Sequence, residues 1–236
     1  MPQSSVYEDR GVRVTLTSPY TESFIWSVIQ EKGIYDPYLL KKVRDLGLIK
    51  DHSTFIDAGA NIGNHTVYWA KCSPQANALS VEANPDIFDV LLRNIELNDL
   101  QNVHAVRCAL SSKNDIRVES MLDTRHPGNS CVQISDEGRD KTRTLDAVYL
   151  EAQIKKPCSF IKIDCEHHDW EVLQGCEDLI SEFKPSIAIE VWPQDLCTSR
   201  NVPYLKPMIE EFLASRGYQI LTALGVNHIY TFGAEA

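Results

Sequence analysis

The sequence predicts an α/β protein built on a mostly parallel sheet with helices on both faces. Three observations carry this. Short apolar strands alternate with helical stretches through the middle of the chain, a glycine-containing turn joins the first such strand to its helix, and only Gly225 and Val226 separate the last two strands. Alternation makes neighbouring strands parallel, because each helix carries the chain back across the sheet. A two-residue connection is too short for a crossover, so the final pair must run antiparallel. The 236 residues, 43% of them hydrophobic, suffice for one such domain with a buried core.

The elements follow in order. Residues 1–50 read as an N-terminal helical extension, with amphipathic stretches at 22–30 and 38–46 separated by Gly33 and Pro37; the sheet domain takes residues 51–236. Thr54–Ala58 is the first strand, Asn64–Cys72 its helix and 76–82 the second strand. The next helix has a marked start, with Asn84 as N-cap, Pro85 in the first helical position and Asp86 at the positive end of the dipole. Ile87, Leu91 and Ile95 then recur on one face. A third strand follows at 103–108. Residues 111–143 are polar and irregular, with a turn at His126–Asn129, and read as an insertion at a lid or substrate edge. A helix at 145–154 leads to the fourth strand at 159–164, and Val172, Leu173, Cys176, Leu179, Ile180 and Phe183 mark one helix after it. The fifth strand is 186–191, the last helix 204–215, and Tyr218–Leu224 with Asn227–Phe232 form the terminal pair.

Charge narrows the partners. Asp and Glu number 33 against 23 Lys and Arg, a formal charge of −10. That balance disfavours a nucleic-acid binder, which needs a basic face, and equally a surface for anionic lipid. No run approaches the ~20 apolar residues of a membrane span, and residues 1–10 lack the apolar stretch of a signal peptide. The seven cysteines are odd in number and include no C-x-x-C pair, so free thiols in a reducing, cytoplasmic setting are expected. The partner expected is a small molecule; oligomeric state leaves no mark in the sequence.

The first strand ends in Asp57-Ala58-Gly59-Ala60-Asn61-Ile62-Gly63, with Asp57 where a dinucleotide-binding loop carries its first glycine. A carboxylate there would repel a pyrophosphate. It suits S-adenosylmethionine, which carries no phosphate but does carry a cationic sulfonium and an α-ammonium group. Glu82 ends the second strand about twenty residues after Gly63, where an acid binds a ribose diol. Cys108 and Ala109, ending the third strand, leave room for an adenine. The expected cofactor contacts are therefore Asp57, Gly59, Ala60, Asn61, Gly63, Glu82, Ala83, Asn84, Cys108, Ala109 and Asp164. An ordinary strand–helix turn would also explain the glycines, and a helix cap would explain Asn84.

The chain resembles the FkbM family of methyltransferases. The matching stretches are FIDAGANIG at 55–63, VEANP at 81–85, NIELN at 94–98, TLD at 144–146, FIKIDCE at 160–166, VLQG at 172–175 and KPSIAIE at 184–190. The resemblance implies a Rossmann-like class I methyltransferase fold of seven strands, S-adenosylmethionine as donor, and usually a hydroxyl oxygen of a sugar, polyketide or other small metabolite as acceptor. One departure stands out. Where similar proteins follow this acid with glycine, the chain has His167, then His168 and Asp169.

Ligands of open α/β sheets gather at the carboxyl ends of the strands. Asp164, Glu166, His167, His168 and Asp169 follow the fourth strand, and Glu190 with Trp192 follows the fifth. Methyl transfer to an alcohol requires alignment and removal of its proton. Asp164 is assigned to positioning near the cofactor, Glu166 or one histidine to proton removal, and Glu190 faces them. Lys162, on the Asp164 face of its strand, is expected in an internal ion pair. His65 and Tyr68 are read either as facing the ligand or as ordinary helix-surface residues. No metal ligands are assigned; a divalent metal held by the same carboxylates and imidazoles is the less favoured arrangement. Transfer to nitrogen, to a peptide or to a lipid-linked glycan is the alternative activity, and a non-catalytic cofactor-binding scaffold is the alternative of another class.

Overall fold

The computed structural model describes residues 3–121, 131–166 and 168–233. His167 and the turn at residues 126–129 lie outside them. The central sheet has seven strands in the order β12-β13-β11-β10-β3-β4-β5. These are β3 (Thr54–Ala58), β4 (Asn77–Glu82), β5 (Val103–Arg107), β10 (Cys158–Ile163), β11 (Ser186–Glu190), β12 (Tyr218–Leu224) and β13 (Asn227–Phe232). The first five pair in parallel, while β13 runs antiparallel to both β11 and β12. From β3 the chain builds outward to β4 and β5, then crosses back to β10 on the other side. The switch point therefore lies between β3 and β10.

Successive residues of each strand face opposite sides of the sheet. Ile56, Leu79, Ile161 and Ile187 share one apolar cluster with Leu145 and Val148 of α5 (Leu145–Glu151), Val172 of α6 (Asp169–Gln174), Leu179 of α7 (Glu177–Phe183) and Ile209 of α9 (Lys206–Ala214). Phe55, Ala78, Phe160 and Ala188 face the other way. They pack with α1 (Phe24–Lys32), α2 (Pro37–Asp45), α3 (Asn64–Cys72) and α4 (Pro85–Leu97).

Four features depart from the sequence reading. The segment before residue 50 is not wholly helical: it opens with a hairpin of β1 (Gln3–Asp9) and β2 (Val12–Ser18). Arg10 and Gly11 both have positive φ at its two-residue turn, and Val14 and Leu16 enter the same core as Phe55. The insertion after the third strand is itself a sheet, in which β6 (Ala109–Leu110) pairs with β9 (Asp140–Arg143), β9 with β7 (Arg117–Met121) and β7 with β8 (Cys131–Ile134). The helix read across Val172–Phe183 is split into α6 and α7 at Gly175, where an added Cβ would stand 2.2 Å from the Ser111 carbonyl oxygen. A further helix, α8 (Gln194–Arg200), follows β11.

Candidate active site

The carboxyl ends of these strands surround a cleft with about 990 Å³ of free space, counting its open mouth. Gly59, Ala60 and Asn61 line it after β3, Glu82 and Ala83 at the end of β4, and Cys108 after β5. Asp164, Glu166 and His168 line it after β10, with Glu190 at the end of β11. The strand alternation thus brings together the loop, the acid of the second strand and the acidic tip of the fourth.

Backbone constraints shape the loop. Gly59 has φ 78°, and a Cβ there would sit 1.8 Å from the Asp164 carbonyl oxygen, so only glycine lets β3 and β10 approach at the switch point. The Gly59 and Ala60 N–H groups both donate to the Val81 carbonyl, at 3.0 and 2.9 Å. Asn61 is left-handed at φ 50°, and its N–H donates to Glu82 Oε2 at 3.0 Å. Glu82 Oε1 accepts from the Asn84 N–H at 2.8 Å. Burial raises the Glu82 pKa from its ordinary value, with the backbone donors from Asn84 and Asn61 opposing the rise. This carboxylate is therefore part of the loop's framework, not a free strand end.

Lys162 is the buried centre of charge. Its Nζ lies 3.2 Å from Asp57 Oδ1 and 3.2 Å from Asp164 Oδ2, and donates to the Gly59 carbonyl at 3.3 Å. Burial alone would lower its pKa; the carboxylates of Asp164 and Asp57 overcome that and raise it, so the ammonium keeps its charge. The internal ion pair expected of Lys162 is present.

Around it stands an excess of acid. Burial, followed by the charges of Asp164 and Glu190, pushes Glu166 up to about 9. Burial, then Asp164 and Asp169, pushes Glu190 up to about 8. Asp169, whose Oδ1 accepts the Cys165 N–H at 2.7 Å, is raised to about 7 by burial and then by Asp164. Glu166 also holds a left-handed backbone, φ 46°, a strained position for a residue with a side chain. His168 Nε2 is 3.1 Å from Ser111 Oγ, which fixes one side of its ring.

Four residues expected on the cofactor do not line the cleft. Asp57 is fully buried beneath the loop, paired with Lys162 and accepting a hydrogen bond from Thr66 Oγ1 at 2.6 Å. Gly63 faces Leu91, whose Cδ1 would stand 2.7 Å from an added Cβ. Asn84 caps α4 through the N–H groups of Asp86 and Ile87, as its alternative reading had it. Ala109 is buried in β6. Tyr68 is likewise buried, hydrogen-bonded by Arg44.

The structure adds a wall that sequence reasoning missed. Ile25 and Tyr35 reach the cleft from the N-terminal segment. Asn64, starting α3, clasps Tyr35 at both backbone groups, accepting from its N–H and donating to its carbonyl at 2.9 Å each. Asp36 accepts from Asn227 Nδ2 at 2.9 Å, which ties this turn to β13. The available signal was an aromatic residue between Gly33 and Pro37, in a loop between two helices. His65 also lines the cleft; burial holds its imidazole well below the usual pKa, hence neutral, and its Nε2 has no hydrogen-bond partner among the described residues. Among the described residues, no three His, Cys, Asp or Glu side chains are grouped to hold a metal ion, and no helix is long and apolar enough to cross a membrane.

The sheet order, with its antiparallel terminal pair and a cleft at the switch point, is that of the class I methyltransferases. An O-methyltransferase from Bacillus cereus, solved in complex with SAH, superposes with a TM-score of 0.55 at 16% identity, covering 90% of each chain. Methyltransferase FkbM from Methylobacillus flagellatus KT superposes at 0.52 with 18% identity, over 91% of this chain and 48% of its own. Residues 57–220 match the family model of the methyltransferase FkbM domain. The chain belongs to the FkbM methyltransferase family and is a methyltransferase. Among its relatives are methyltransferase sdnD of Sordaria araneosa, 27% identical over 82% of this chain and 84% of that protein, and methyltransferase 1 of Beauveria bassiana, 25% identical over 73% and 76%.

Proposed function

We propose that the cleft binds S-adenosylmethionine and that the protein transfers its methyl group to a hydroxyl oxygen of a small molecule, a sugar or another metabolite. The observation that carries this reading is the charge balance of the cleft. Among the described residues, Glu82, Asp164, Glu166 and Glu190 line it against one ammonium, Lys162, which is already paired with Asp57 and Asp164. Such a lining offers a pyrophosphate no free cation, whereas a sulfonium and an α-ammonium group are stabilised as Glu166 and Glu190, held protonated by burial, ionise beside them. Two further features suit the same group. The Glu82 carboxylate has about four acceptor positions and holds the backbone N–H groups of Asn61, Asn84 and Ala83, leaving capacity for a ribose hydroxyl. The unpartnered Nε2 of His65 offers a buried polar contact.

When bound, S-adenosylmethionine supplies an electrophilic methyl carbon. The protein's part is to align an alcohol with it and accept the hydroxyl proton. Asp164, held by Lys162, takes the positioning role. Glu166 and Glu190 are the proton acceptors, and a cation beside them favours their ionised forms, opposing the burial that keeps them protonated. His168 shares the same rim. Incubation of a metabolite extract with the enzyme and a deuteromethyl-labelled donor tests the reading. It predicts label in a small-molecule fraction as an O-methyl ether; label confined to amines or to macromolecules would overturn it.

A further inference from the structure

A second cavity, about 440 Å³ counting its mouth, shares Glu190 with the main cleft. Its walls are the end of β11, α8 and the start of α9, with Val191, Cys197, Val202, Leu205 and Ile209 supplying apolar surface. Asp169 lies where the two spaces meet: it lines the second cavity, and its carboxylate holds the Cys165 N–H, a residue of the main cleft.

The walls are preformed. The Val191 N–H donates to the Val226 carbonyl at 2.7 Å, the Cys197 N–H to Pro193 at 3.0 Å and the Val202 N–H to Cys197 at 3.0 Å. The Arg200 guanidinium stacks 5.7 Å from the Trp192 ring centre. An apolar hollow that its own side chains leave unfilled forfeits dispersion contacts, and an apolar ligand group restores them. Polar ligand atoms find little there. Among the described residues, the one lining ammonium is Lys206, 3.8 Å from Glu210, and the carboxyl groups stand at the junction with the main cleft. A polyhydroxylated group placed among Val191, Val202 and Ile209 would lose hydrogen bonds to water without replacement.

We propose that this cavity seats an aromatic or aliphatic body of the methyl acceptor, with the acceptor's hydroxyl directed past Glu190 into the main cleft. The inference rests on the main cleft being the donor site, and it narrows the acceptor to alcohols that carry an apolar body.

Ligand-observed NMR on the full chain with SAH present tests it, using benzyl alcohol, cyclohexylmethanol and 2-naphthylmethanol as probes and glycerol as the polar control. Val202→Trp fills the cavity and Val202→Ala leaves it open; calorimetry with SAH is run on each. At least one of the three alcohols is expected to bind saturably and glycerol not. Val202→Trp should weaken that binding about tenfold or more with SAH affinity unchanged, whereas Val202→Ala should retain it. If Val202→Trp fails to fold, Leu205→Trp is measured in its place. The inference is overturned if none of the three alcohols binds, or if the filled cavity binds them as the wild type does. Absence of SAH binding to the wild type would instead contradict the donor reading, and the alcohols titrated without SAH would still report on the cavity.

Discussion

Lys162 Nζ stands 3.2 Å from Asp164 Oδ2 at the cleft floor, and the same ammonium holds Asp57 Oδ1 at 3.2 Å from below. It therefore ties a carboxylate that faces the cleft to one with no access to water. Removing one partner of a buried ion pair leaves the other charge uncompensated, at a cost of ~3–5 kcal/mol. Lys162→Met should lose stability of that order in urea denaturation, and adding Asp57→Asn should recover part of it. Equal stability of the single variant and the wild type would show that the pair is not a fold determinant.

Glu82 joins the Asn61 and Asn84 backbones across the loop that shapes the cleft, at 3.0 and 2.8 Å. Hydrogen bonds to a charged group contribute about 1.5–3 kcal/mol each, so Glu82→Ala should lower folding stability by roughly 2–3 kcal/mol as well as weakening donor binding. Thermal denaturation and calorimetry together separate the two effects. Weakened binding with full stability would return Glu82 to the role of a solvated strand end.

Glu166 couples pH to stability. Its pKa is raised from 4.5 to about 9 in the folded protein by burial and then by Asp164 and Glu190. Across that window the folded state holds a proton that the unfolded chain has released, so this group's contribution to stability falls as pH rises. Glu166→Gln removes the effect. Its Tm should exceed the wild type's by several degrees at pH 9, since each ~1 kcal/mol moves a domain of this size by roughly 2–4 °C, and match it near pH 4.5. In the opposite direction, wild-type kcat/KM should rise with pH through about 8–9 as the carboxyls ionise. A flat Tm difference would place Glu166 in contact with water.

The central sheet was legible because each strand is a short apolar run and each helix shows its own period. The hairpin β1–β2 was not, because its alternation falls in a polar segment and its buried face depends on Val14 and Leu16 meeting a core built by residues far along the chain. Helix α8 buries only Cys197 and so has no apolar stripe to read. At the site, Gly59, Glu82, Asp164 and Glu190 were visible as strand ends. Asp57 was placed on the ligand because it opens the loop, yet it still belongs to β3, and its side chain points under the sheet end towards Lys162. Tyr35 was hidden because its position is set by Asn64, 29 residues away in sequence.

Titration calorimetry of the wild-type chain with SAH and with NAD measures the central claim directly. The acid-lined cleft at the β3–β10 switch point predicts saturable one-site binding of SAH and no detectable heat from NAD. It also predicts that S-adenosylmethionine, which brings the positive charge that SAH lacks, releases protons on binding as Glu166 and Glu190 ionise beside it, seen as a dependence of the measured heat on the buffer. Saturable binding of NAD with no signal from SAH would contradict the account.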